Sequence, residues 1–145
     1  EHTKAEASRL GYTETLFGRR RYFAGFKSSI PGLRAQAERM AINAPIQGTQ
    51  SDIIKLAMVE ADSLLEKNGW RPSTGSGQAK AKLVLQVHDE LVYEFDAKIA
   101  GEAAQAIRGV MESVIDAKEL SGVPILVEAA VGEDWGTMKK LAARD

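Results

Sequence analysis

The sequence lacks cysteine altogether and contains only two histidines, His2 and His88. Without thiols, neither a disulfide framework nor a thiolate metal site can form, and two histidines make a poor zinc site. The absence of cysteine also favours an intracellular protein. No apolar run approaches the roughly 20 residues needed to cross a bilayer, and the polar first ten residues do not resemble a signal peptide. The sequence therefore predicts neither a disulfide-rich domain nor a membrane protein.

The charge of the chain is nearly balanced but unevenly distributed. The 145 residues carry 19 Lys or Arg against 20 Asp or Glu, a formal net charge of −1. Residues 1–40 carry eight Lys or Arg against four Glu, which leaves +4 there and −5 in the remainder. A basic first third joined to an acidic remainder suits a surface for phosphates beside a surface for cations.

The most informative stretch is residues 82–95, in which two apolar, β-branched and aromatic runs flank His88, Asp89 and Glu90. This pattern predicts a strand, a tight turn and a second strand. A carboxylate in such a bend has the fixed position that a Mg²⁺ ligand needs, although polar hairpin turns are ordinarily just solvated. Glu90 directly follows Asp89 and can point the other way. A two-metal site would therefore need a further carboxylate from another segment.

The rest of the chain predicts an α+β domain, residues 1–145, with an antiparallel sheet covered by helices on one face. A flexible loop is expected at residues 70–80, where Pro, Ser and Gly cluster. The remaining elements are expected as follows: a helix over 1–10, a hairpin over 12–23, a helix over 32–44 ended or kinked by Pro45, a helix from a capping box at Thr49 to Asn68, a helix of about twenty residues from Ile99, a strand over 125–131 and a short terminal helix.

Two groups of polar residues are candidates for binding nucleic acid. Arg39, Asn43 and Gln47 stand four apart, so on one helix they form a polar stripe that could contact phosphates, sugars and base edges. The alternative is the solvent-facing side of a surface helix. The predicted first hairpin carries Arg19, Arg20 and Arg21 in succession, so at least one arginine must face the protein body or a partner. Here the alternative is an edge strand protected by charge.

Four motifs, in order, resemble family A DNA polymerases, the group of bacterial DNA polymerase I. Residues 86–92 (QVHDELV) resemble the carboxylate-bearing hairpin of the family's palm, and residues 11–21 (GYTETLFGRRR) resemble the segment after its fingers. Residues 37–49 (AERMAINAPIQGT) resemble its helix along the primer-template, and residues 132–135 (GEDW) resemble its ending. The similarity extends from about residue 1 to residue 140.

The resemblance implies template-directed addition of deoxynucleotides, taken from deoxynucleoside triphosphates, to a primer 3′ end with Mg²⁺. Asp89 would be one of two metal-binding carboxylates and Glu90 an accessory acid near the primer terminus. The residues implied to touch primer-template DNA are His88, Arg39, Asn43, Gln47 and, by a looser match to a basic segment of the palm, Arg19 and Arg20. It also implies a cytoplasmic enzyme of a bacterial or phage-infected cell, associated with the nucleoid.

The sequence also departs from the family pattern. It has no Asp-Tyr-Ser stretch, which carries the family's other catalytic carboxylate, and no Lys-x-x-Asn-Phe-Gly helix for the incoming triphosphate. Both motifs lie upstream in the family, so we expect this chain to be the C-terminal, palm-side portion, inactive without the N-terminal portion. Ala24-Gly25 also replaces the expected Pro-acid pair, and the loop at 70–80 is longer than usual. A non-catalytic DNA-binding module and a structural subunit without DNA affinity are the alternatives.

Overall fold

The computed structural model describes residues 2–72 and 79–142. The chain divides into two compact units, Glu1–Asp52 and Ile53–Asp145. The central part of the loop predicted at residues 70–80 lies outside the described residues. Within the described residues, no helix is both long enough and apolar enough to cross a membrane.

The secondary structure is mixed, which confirms the predicted α+β class. The elements in chain order are α1 (His2–Leu10), β1 (Tyr12–Glu14), β2 (Arg20–Tyr22), a 3₁₀ helix (Ala24–Lys27), α2 (Pro31–Lys67), β3 (Ala81–Val87), β4 (Glu90–Phe95), α3 (Ala100–Ser113), β5 (Ala130–Val131) and β6 (Lys139–Lys140). The strands pair as β1 with β2, β3 with β4 and β5 with β6, and each pair is an antiparallel, two-stranded sheet.

In the first unit, the predicted first helix and hairpin are confirmed. Helix α1 ends at Gly11, whose φ of +80° is strained for residues with a Cβ. Strands β1 and β2 pair from Tyr12 opposite Tyr22 to Glu14 opposite Arg20. Both strands are shorter than the sequence pattern indicated.

Helix α2 is continuous through Pro45, so the prediction of two helices separated at this proline is wrong. A proline removes one backbone hydrogen bond from a helix. Ala41 and Ala44, on the turn before it, are buried in the core of the first unit, and this packing holds the helical path. The predicted capping box at Thr49 is wrong too, because Thr49 lies inside the helix and its Oγ1 accepts a hydrogen bond from the Leu16 amide at 3.0 Å.

The core of the first unit is built largely from small side chains. Alanines from α1 and α2 pack together with two phenylalanines that meet edge to face at 6.1 Å between ring centroids. Small side chains let helix backbones approach closely, so this part of α2 packs at a short distance from α1. The core residues are Ala7, Phe23, Ala37, Ala41 and Ala44, with Phe26 packed against them.

The core of the second unit lies between the β3–β4 hairpin and the two helices beside it. The hairpin contributes Ala81, Tyr93 and Phe95, and the rings of Tyr93 and Phe95 stack at 5.6 Å between centroids. The helical and connecting residues against them are Ala61, Leu65, Trp70, Ala103 and Ile107. Helices thus cover one face of the hairpin, as the sequence predicted.

Burial within this core raises the pKa of Tyr93 to about 12, and the negative charge of Asp62 adds to the shift. The pKa of this phenol is 10 in the unfolded chain, so its higher pKa in the folded chain stabilises the folded state. This stabilisation is fully present below pH 10. Between about pH 10 and pH 12 the unfolded chain loses this proton first, so the free energy of unfolding should fall. Tyr93→Phe should remove this component of the alkaline loss in denaturant titrations. Equal alkaline slopes in the two proteins would contradict the assignment.

The last part of the second unit differs from the sequence prediction. Helix α3 has 14 residues rather than about twenty, and only Ala130–Val131 of the predicted strand over 125–131 is paired. The predicted terminal helix is wrong over the described residues, where the chain turns back into β6. The Asp134 side chain causes this turn, because its Oδ1 accepts hydrogen bonds from the Gly136 and Thr137 amides.

Candidate nucleic-acid and metal site

The predicted site residues divide between the two units. The structure brings His88, Asp89 and Glu90 together at the tip of the β3–β4 hairpin in the second unit. It places Arg39, Asn43 and Gln47 on α2, within the first unit, which also contains Arg19 and Arg20 on or beside strand β2.

The hairpin holds its acidic turn in a defined backbone conformation. Val87 pairs with Glu90, so His88 and Asp89 alone form the turn and Glu90 is the first residue of β4. His88 takes a φ of 54°, and the Gln86 side-chain amide donates a hydrogen bond to the His88 carbonyl oxygen. A positive φ at the first position is the usual requirement of a two-residue hairpin turn. Strand pairing and this bond therefore fix where the Asp89 backbone lies.

A β-bulge interrupts the ladder below this turn. The register shifts by one residue between Leu83 and Leu85, so Val84 is the extra residue on β3. Bulges increase the local twist and are frequent beside functional sites, where they redirect the side chains that follow. The bulge sets which face of the hairpin each residue between it and the turn occupies.

His88, Asp89 and Glu90 are all exposed, and the two acids supply hard oxygen donors. Carboxylates of this kind are the ligands that Mg²⁺ prefers. Among the residues that the structure describes, no group of three His, Asp or Glu side chains is placed to hold a metal ion. The donor chemistry of Asp89 and Glu90 thus fits part of a magnesium site.

The predicted polar stripe on α2 is present as one exposed row. Because α2 is continuous, Arg39, Asn43 and Gln47 follow one another at about 6 Å along the helix axis, given a rise of 1.5 Å per residue. All three side chains are exposed. The row has the length and the donor groups to follow the backbone and groove of a nucleic-acid duplex.

The guanidinium groups of Arg19 and Arg20 both form hydrogen bonds to other residues of the protein. Arg19 donates from Nε to Asp52 at 2.8 Å and from Nη2 to the Gly48 carbonyl oxygen at 3.0 Å, which ties the hairpin to α2. Arg20 donates to Glu14 at 2.6 Å, and this hydrogen bond is the largest cause of a raised pKa of Arg20. Its guanidinium also lies 4.7 Å from the centre of the Tyr12 ring. Arg19 thus positions the element next to Gln47.

Gly48 permits the close contact between the hairpin and α2, a role that sequence reasoning missed. A Cβ at Gly48 would lie 2.5 Å from Thr15 Cγ2, which is too short for carbon atoms. Thr15 cannot rotate freely, because its Oγ1 accepts a hydrogen bond from the Arg19 amide at 3.2 Å. The one sign of this contact in the sequence was a glycine directly after Gln47 of the predicted row.

Gly48→Ala should therefore destabilise the chain. Overpacking typically costs about 1–3 kcal/mol, more than the roughly 1 kcal/mol that alanine gains over glycine within a helix. Thermal unfolding followed by circular dichroism measures the difference. The double variant Gly48→Ala/Thr15→Ser removes the opposing methyl group and should recover much of the loss. A single variant as stable as the wild type would show that the contact is not tight.

Comparison with known proteins identifies the family of this chain. The model of the DNA polymerase family A matches residues 1–137. The thermostable DNA polymerase I of Thermus aquaticus is 43% identical over 140 residues, which cover 97% of this chain and 15% of that enzyme. DNA polymerase I of Pseudomonas aeruginosa is 42% identical over 135 residues, covering 93% of this chain and 13% of that enzyme.

A solved structure of a polymerase domain is also similar to this chain. The polymerase domain of Pol1 from M. smegmatis, in complex with DNA primer-template and dNTP, is 38% identical with a TM-score of 0.72. That match covers 85% of this chain and 19% of the solved chain. This chain belongs to DNA polymerase family A. It spans about 13–15% of the length of the two DNA polymerase I relatives.

Proposed function

We propose that this chain is the palm-side portion of a DNA-directed DNA polymerase, which adds deoxynucleotides to a primer 3′ end on a template strand. The observation that carries the proposal is the exposed carboxylate of Asp89 in a two-residue turn, within a chain 43% identical to a DNA polymerase I. A relative was solved with primer-template DNA and dNTP, and these are the partners that we propose here.

In this proposal Asp89 holds Mg²⁺, and a second carboxylate comes from the N-terminal portion of the polymerase domain, on the same or a separate chain. Bound Mg²⁺ would offset the negative charge that develops on the transferred phosphoryl group, by two-metal phosphoryl transfer. The strand pairing around the turn keeps Asp89 in place without reorganisation during the reaction. Glu90, on the adjoining position, acts as an accessory acid near the primer terminus.

The remaining predicted residues bind and orient the DNA. Arg39 supplies positive charge for the phosphate backbone, while Asn43 and Gln47 supply amides that can both donate and accept hydrogen bonds in the minor groove. Minor-groove acceptors recur at equivalent positions in all base pairs, so this row can hold a correctly paired duplex of any sequence. In this proposal His88 donates a hydrogen bond to the same nucleic acid, and Arg19 and Arg20, whose side chains stay about half exposed beside Asp52 and Glu14, also contact it.

A chimeric enzyme tests the proposal. The matching 140-residue stretch of the Thermus aquaticus DNA polymerase I is replaced by this chain, and primer extension is measured with Mg²⁺ and all four deoxynucleoside triphosphates. Template-directed extension is expected. A chimera that folds and binds primer-template DNA but never extends it would instead support a non-catalytic DNA-binding module. Absence of DNA binding would support a structural subunit.

A further inference from the structure

The exposed row on α2 extends one turn further than its three predicted members. Gln36 lies three residues before Arg39 and seven before Asn43 on the same continuous helix, and its side chain is exposed. At 100° per residue, seven residues bring Gln36 to within about 20° of Asn43 around the helix axis. Gln36 therefore occupies the same face as the row.

The chemistry of Gln36 matches that of the row. A glutamine amide can both donate and accept, as Asn43 and Gln47 can. The nearby acid Glu38 forms an ion pair with Lys4 at 2.6 Å on another side of the helix, so it does not place a carboxylate in the row. The row itself consequently carries uncharged amides with Arg39 as its cation, and the exposed apolar side chains of Met40 and Ile46 lie beside it.

We propose that Gln36 is a further DNA-contacting residue, which bonds to the minor-groove edge of the duplex about three base pairs away from the contact of Asn43. Seven residues at 1.5 Å each give about 10.5 Å along the helix, and the duplex rises about 3.4 Å per base pair. The inference rests on the proposed function, because it takes the primer-template duplex as the occupant of this face.

The charge of the first unit favours a polyanionic duplex over an acidic protein surface as that occupant. Residues 1–40 carry a balance of +4, and their exposed basic side chains include Arg21, Lys27 and Arg34. Polyanionic DNA complements this surface.

The test measures binding of the 145-residue chain to fluorescently labelled primer-template DNA with progressively shorter duplexes. On a long duplex, Gln36→Ala should weaken binding about fivefold, the size of one hydrogen bond. Asn43→Ala is measured in parallel. As the duplex is shortened, the loss of affinity caused by Gln36→Ala and the loss caused by Asn43→Ala should each disappear. The duplex lengths at which they disappear should differ by about three base pairs. Gln36→Lys should tighten binding and steepen its salt dependence by about 0.9 in slope.

Gln105→Ala, on α3 in the second unit, is the matched control and should bind like the wild type. If both Gln36 variants bind like the wild type at every length while Asn43→Ala weakens binding, the inference is wrong and the proposed function stands. If the wild-type chain binds no duplex at any length, the inference is wrong, and primer extension by the chimeric enzyme decides the proposed function separately. Circular dichroism checks folding, which alanine at an exposed helical position should preserve.

Discussion

Asp89→Ala is expected to reduce primer extension by the chimeric polymerase by about a thousandfold or more, equivalent to at least ~4 kcal/mol of activation free energy. In the proposed function, the variant loses one of the few hard oxygen donors for Mg²⁺ beside the reacting groups. The side chain is exposed at the tip of a paired hairpin, so its removal should leave the fold intact. Single-turnover extension kinetics measure the effect.

Glu94→Ala is the matched control for this prediction. Glu94 is an exposed carboxylate of the same hairpin, opposite Lys82 and away from the turn. Its removal should change extension little, and both variants should bind primer-template DNA nearly as the wild type does. If Asp89→Ala extends primers at rates near those of Glu94→Ala, the role assigned to Asp89 is wrong.

Arg39→Ala should produce the largest loss of DNA affinity among single changes in the α2 row, about tenfold at low salt, with the salt-dependence slope reduced by about 0.9. Arg39 supplies the charge of this row, whereas Asn43 and Gln47 are neutral. Neutralising a phosphate releases a counterion, and for that reason the salt slope reports the contact directly. Fluorescence anisotropy over a salt series measures both quantities.

Arg34→Ala is the control for Arg39→Ala. Arg34 is an exposed arginine of the same helix, but five residues place it about 140° around the axis from Arg39. Arg34→Ala should therefore reduce the DNA affinity and the salt-dependence slope less than Arg39→Ala does. Equal losses in the two variants would mean that general charge, and not the row, determines binding to DNA.

The hairpin that carries Asp89 could be predicted because its sequence contains strong local signals. The β-branched and aromatic runs on both sides of the turn have high strand propensity, and the hairpin packs into the core of the second unit through Ala81, Tyr93 and Phe95. The bulge at Val84 could not be predicted, since it depends on pairing between strands and not on the composition of either. The turn also proved to be two residues long, with Glu90 in the strand.

The incorrect predictions at Pro45, Thr49 and Asp134 concern local signals that packing or side-chain bonds override. Pro45 ordinarily ends a helix, but the buried alanines before it keep α2 continuous. In sequence, a threonine that caps a helix looks the same as one whose hydroxyl accepts a hydrogen bond from another segment. The Thr49 hydroxyl accepts such a bond from the Leu16 amide. The carboxylate of Asp134 forms a turn where a helix was expected.

The α2 row could be predicted from spacing alone, because residues four apart share a helix face. The partners of Arg19 and Arg20 could not, since three consecutive arginines give no indication of which one faces the body. The structure pairs Arg19 with Asp52, 33 positions away, and Arg20 with Glu14 across the strand pair. The first pair depends on the tertiary fold and the second on the pairing of the two strands.

Exchange of the metal tests most directly whether Asp89 is a cation ligand. Asp89→Cys replaces a hard oxygen with a soft sulfur, which binds Mg²⁺ poorly and binds Mn²⁺ or Cd²⁺ better. Extension by the Asp89→Cys chimera should be lost with Mg²⁺ and partly restored by Mn²⁺ or Cd²⁺, beyond any effect of these ions on the wild-type chimera. The same relative loss with every cation would contradict direct coordination by the residue at position 89.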